Sequence, residues 1–143
     1  MITKEYRFKS WDGLIQIVLK QGKAARSGNF SMRYLPTSHS YAISRIKSLQ
    51  TKRPILNKDL KLNTRFGVVV SKKVSKSAVT RNRIRRRVYE WIRLNLDRIE
   101  PENLILIFAH TDAIAKLKYP ELSDQLEQLF VKAGIVKKSS NET

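Results

Sequence analysis

The chain has 143 residues, 41% of them hydrophobic, and 29 Lys and Arg against 12 Asp and Glu give a formal net charge of +17. That length supports one core, and that charge exceeds what solubility needs, so the expected partner is a polyanion, nucleic acid before an anionic membrane surface. With no cysteine, only His39 and His110, no run of 18 apolar residues and no signal-peptide core in MITKEYRFKSWDG, the reading is a soluble, cytoplasmic protein without disulfides, membrane span or metal of its own.

In chain order, GLIQIVLKQG (13–22) spaces Leu14, Ile15, Ile17, Val18 and Leu19 as a short helix, closed by Gly22 in an expected left-handed conformation. NFSMRYLP alternates, with Phe30, Met32 and Tyr34 on one side and Ser31, Arg33 and Leu35 on the other, a strand stopped by Pro36. Residues 37–64 sustain no period; YAISRIK could form an extra strand, but the stretch reads as an extended basic loop. RFGVVVSKK (65–73) is β-branched and reads as a central strand, and NLILIFAH (103–110) as a strand buried on both faces. YPELSDQLEQLFVKAG (119–134) stripes Leu122, Leu126, Leu129 and Phe130 along a closing helix, and residues 135–143 read as a flexible tail. These elements make one small α/β (α+β) domain over residues 1–143.

Charge is concentrated. Residues 1–96 carry 23 Lys and Arg against 4 acids, whereas residues 97–143 carry 6 against 8. Within RNRIRRR (81–87) stand five arginines and no lysine. With Ser77 as N-cap, a helical wheel puts Ile84, Val88, Trp91, Ile92 and Ile99 on one apolar stripe and Asn82, Arg86 and Arg93 opposite, flanked by Arg83 and Glu90; Arg81 and Arg85 lie nearer the boundary. A merely solvated face mixes both signs, and cations in the first turns oppose the helix dipole. Phosphate removes both penalties, and the guanidinium fork suits it. A protein nuclease would need a converging base, nucleophile or carboxylate pair, and none is apparent; His110, near Asp112, reads as structural.

The block RFGVVVSKKVSKSAVTRNRIRRRVYEWI resembles the signature of the bacterial ribonuclease P protein family, a strand running into SKK, a short turn and an RNR helix. The matching positions are Val70, Ser71, Lys72 and Lys73, then Arg81, Asn82, Arg83, Arg85 and Arg86. RFKSWDGLIQIVLKQGKAARSGNFSMRY is similar to the family's first helix, basic turn (Gln21, Gly22) and first long strand (Phe30), and ELSDQLEQLFVKAGIVKK to its last helix.

The resemblance implies an α-β-β-α-β-α sandwich with a left-handed β-α-β crossover, against the usual hand. It implies an RNA-binding subunit of an endoribonuclease that removes the 5′ leader of precursor tRNA. Catalysis would belong to the RNA subunit and its Mg2+, with no catalytic residue and no bound cofactor in this chain, which would be monomeric outside the complex. Lys72, Lys73, Arg81, Asn82, Arg83, Arg85 and Arg86 would dock on the catalytic RNA. A cleft between the first helix and the sheet would guide the leader; its positions here are Ile15, Leu19, Arg33 and Tyr34. Where the family presents aromatic rings, this chain has Ile15 and Leu19 on the helix and Arg33 on the strand, so the Arg33 guanidinium is expected on the cleft floor, stacking on bases or pairing with leader phosphates; the alternative is a one-residue strand slip that puts Tyr34 in the cleft and Arg33 beneath it. The alternative is a general or ribosomal RNA-binding protein without a role in cleavage.

Overall fold

The computed structural model describes residues 6–9, 13–52 and 64–137. Helix α1 is Leu14–Gln21, strand β1 Lys23–Ser27, β2 Phe30–Pro36, helix α2 Ser40–Lys52, β3 Arg65–Val69, α3 Ala78–Leu94, β4 Asn103–Ala109 and α4 Tyr119–Ala133. The sheet order is β1-β2-β4-β3; β1 and β4 each pair antiparallel with β2, and β3 runs parallel to β4.

Alternation along β4 explains why helices cover both faces of the sheet. Ile105 and Ile107 join Phe30, Met32, Phe66 and Val68 in a core closed by α3 and α4, while Leu104 and Leu106 join Leu35 in a second core closed by α1 and α2. Both faces of β4 are buried, as its near-continuous apolar sequence predicts. Helix α3 starts where Ser77 Oγ accepts from the Thr80 amide at 3.2 Å, and it buries Ile84, Val88, Trp91 and Ile92 as the wheel predicts. Tyr89 is buried with them. Ile99 is buried too, but beyond the helix, where it bridges Val136.

Five expectations change. The loop expected over 37–64 contains α2, because Ala42, Ile46 and Leu49 recur at helical spacing and are buried against α1 and the sheet; residues 53–63 lie outside the described residues. KAARS, a segment of weak strand propensity, forms β1. It pairs with β2 across Gly28-Asn29, a two-residue hairpin loop whose first position has φ 56°, a conformation glycine adopts without strain. β3 is an edge strand rather than a central one. Its flanking helix and Phe8, over Gly67, bury its faces, and Arg7 bridges Phe66. The tail expected to be flexible over 135–143 is held at its start: Ile135 is buried, and the Lys137 amide donates to Arg98 O at 2.6 Å. Residues 138–143 lie outside the described residues.

Gly22 closes α1 in an extended conformation (φ −73°), not the left-handed one expected. Its role is close approach: a Cβ there would sit 2.4 Å from Val18 O.

Candidate nucleic-acid interface

The arginine run is sorted by what each guanidinium can reach. Arg87 turns inward and donates to Ile114 O at 2.6 Å and to Leu117 O, which ties α3 to the segment before α4. Burial, then the neighbouring Arg83 charge, lowers its pKa. Arg81 donates to Ser75 O at 2.8 Å and closes the turn in front of the helix. Arg85 donates to Asn82 Oδ1 at 2.8 Å and reaches Val70 O at 3.5 Å. Arg93 is neutralised by Glu90, with one bond of 3.0 Å from Nε; that pairing holds the Glu90 carboxyl below its usual range and raises Arg93. Arg83 and Arg86 are exposed and have no hydrogen bond or ion pair among the described residues. Lys72 and Lys73 are exposed in the turn after β3, not on the strand itself.

Beside this face lies a cavity of about 440 Å³ lined by Arg7, Val68, Asn82, Arg85, Arg86 and Tyr89. The Arg7 guanidinium stands 5.6 Å from the Tyr89 ring centroid, and Tyr89 Oη accepts from the Val68 amide at 3.3 Å. Burial raises the Tyr89 pKa, so the phenol stays neutral. Arg7 Nε is buried without a hydrogen-bond partner in the described residues. Three guanidinium groups converging on one cavity suit a phosphate group. Neither Arg7 nor Tyr89 was singled out by the sequence, because Arg7 reaches the site only through its bridge to β3 and the wheel left Tyr89 off the stripe.

The four cleft candidates are not all brought together. Ile15 is half-buried on α1 and Leu19 is 41% exposed, next to the inward-facing Leu14 and Val18. Arg33 lies on the sheet face that α1 covers and donates to Gly22 O at 3.2 Å. Tyr34 lies on the opposite face, packed against the α3/α4 core. It is separated from the other three because successive strand residues alternate faces. The α1 side also has members not foreseen. Register places Ser31 beside Phe108 and Phe108 beside Val69, so β4 supplies an aromatic ring on that face. Val69 is 38% exposed, and Ser31 Oγ lies 2.7 Å from His110 Nε2, an exposed histidine rather than a buried one.

Among the described residues no group of three His, Asp or Glu side chains could hold a metal ion, and no helix is long and apolar enough to cross a membrane.

The family model for ribonuclease P matches residues 2–134. The ribonuclease P protein component of Synechocystis sp. is 31% identical over 135 residues, covering 94% of this chain and 90% of that one. Its counterpart from Nostoc punctiforme is 32% identical, covering 94% and 95%. The Staphylococcus aureus RNase P protein structure superposes with a TM-score of 0.64 at 21% identity, covering 92% of this chain and 98% of that chain, a likeness of fold. A match that spans the SKK turn, the RNR helix and both flanking cores leaves one conclusion: the chain belongs to the ribonuclease P protein family.

Proposed function

We propose that this protein is the RNA-binding subunit of ribonuclease P and that it assists a separate catalytic RNA in removing the 5′ leader from precursor tRNA in the cytoplasm. The observation that carries the reading is the division of the arginine run: Arg87 is spent on the fold, whereas Arg83 and Arg86 stand unpaired, within the described residues, on a helix anchored by a deep core. A rigid row of free cations lowers the ordering cost of each phosphate contact. Lys72, Lys73, Arg81, Asn82 and Arg85 extend the same surface. In this reading the α1 side of the sheet, with Leu19, Arg33 and Phe108, takes the single-stranded leader. A guanidinium and an aromatic ring both stack on bases without reading sequence. The protein acts as a monomer that joins the RNA, and Mg2+ is supplied with the RNA subunit.

The test is cleavage of precursor tRNA at low Mg2+ by the RNA subunit alone, the protein alone, and both together. Stimulation confined to the combination is the expected result. Cleavage by the protein alone would make it a nuclease in its own right, and no stimulation despite RNA binding would leave a general RNA-binding protein.

A further inference from the structure

On the other flank of α3 from the Arg7 cavity is a second one, about 370 Å³, lined by Arg86, Arg87, Glu90, Tyr119 and Leu122. We propose that this cavity receives one unstacked base of the RNA partner, with Tyr119 as the stacking surface and Arg86 holding the adjoining phosphate; the inference rests on the RNA-binding reading above.

Each wall has a property that a base site needs. Leu122 is fully buried and forms an apolar floor. Tyr119 is 47% exposed, a large aromatic ring left open beside a cationic helix. Arg87 cannot swing out to fill the space, because both of its terminal nitrogens are bonded to the carbonyls of Ile114 and Leu117. Its side chain is therefore a fixed wall that keeps the cavity open. Arg86 lines this cavity and the Arg7 cavity alike, so the two flanks are continuous through one unpaired cation. Glu90 would repel a phosphate if it stood alone, but Arg93 neutralises it. The volume lies within the range of ligand pockets, about 300 to 1,000 Å³. A flat π-system with an attached anion matches an apolar floor, an aromatic side and a cationic rim; an aliphatic peptide side chain would leave Arg86 without a counterion.

The experiment has two readouts. First, the isotope-labelled protein is titrated with AMP, ribose 5-phosphate and inorganic phosphate while the Tyr119 ring and Leu122 methyl resonances are followed. AMP alone should move them saturably, and Tyr119→Ala should abolish the response while Tyr119→Phe keeps it. Second, Tyr119→Ala should weaken binding of the RNA subunit roughly 5- to 150-fold, the span expected for loss of one stacked base, with Tyr119→Phe within about twofold of the parent protein. The salt dependence should not change, since no phosphate contact is lost. Equal responses to AMP and ribose 5-phosphate, or normal RNA affinity in a folded Tyr119→Ala protein, would overturn the proposal. If Tyr119→Ala fails to fold, the AMP titration of the parent protein and of Tyr119→Phe decides. Loss of the RNA-binding reading itself would show separately, as an unchanged salt dependence when Arg83 and Arg86 are removed.

Discussion

Replacing Arg83 and Arg86 together with alanine, and Arg87 alone in a second protein, separates cations that the sequence presents as equals. Arg83 and Arg86 are exposed and unpaired among the described residues, so their removal leaves the melting temperature within about 2 °C of the parent, in line with the small effects of surface substitutions. Each phosphate contact contributes about 0.7 to 0.9 to the log–log slope of RNA affinity against salt, so the double substitution should flatten that slope by roughly 1.4 to 1.8. Between 50 and 200 mM salt this amounts to roughly a tenfold smaller fall in affinity. Arg87→Ala should do the reverse. It leaves the carbonyls of Ile114 and Leu117 without their donor. Hydrogen bonds from charged donors are worth about 1.5 to 3 kcal/mol each, and partial exposure brings the pair to about 2 to 3 kcal/mol. At about 2 to 4 °C per kcal/mol for a domain near this size, the expected loss is about 5 to 10 °C. Thermal melting by circular dichroism and filter binding of the RNA subunit at five salt concentrations give both quantities. An unchanged slope in a folded Arg83→Ala/Arg86→Ala protein would remove α3 from the interface, and a flattened slope with an unchanged melt for Arg87→Ala would mean that Arg87 serves RNA rather than the fold.

Trp91 is 1% exposed, donates to Ser123 Oγ at 3.0 Å and lies 5.2 Å from the Phe130 ring, so Trp91→Ala should cost about 3 to 5 kcal/mol in a denaturant titration; lost RNA affinity at full stability would make it a stacking residue instead. Arg33→Ala should reduce holoenzyme affinity for precursor tRNA bearing a leader of several nucleotides while sparing mature tRNA, and Tyr34→Ala should not change that preference. The opposite pattern in the four dissociation constants would contradict the strand register. Glu102 holds φ 63° at the turn into β4, so Glu102→Gly should raise stability by about 0.5 to 1 kcal/mol, and a lower melting temperature would show that this turn depends on the glutamate side chain.

Local pattern determined much of this protein. The apolar stripes of α1, α3 and α4, the Ser77 cap and the double-sided burial of β4 all follow from periods of 3.6 or 2 that a single segment carries by itself. The same alternation places Arg33 and Tyr34 on opposite faces of β2. Tertiary structure decided what no segment can carry. KAARS becomes a strand only because β2 offers it a ladder, and Ala42, Ile46 and Leu49 make too short a stripe to declare α2 until Leu35, Leu104 and Leu106 lie beneath it. β3 falls at the sheet edge because burial of two faces says nothing about neighbours in the hydrogen-bonding direction. Five adjacent-looking arginines acquire different roles for a similar reason. A guanidinium near the boundary of a helix can reach either water or a carbonyl, and the carbonyl that holds Arg87 is 27 residues further along the chain, brought within reach only by packing of the folded domain.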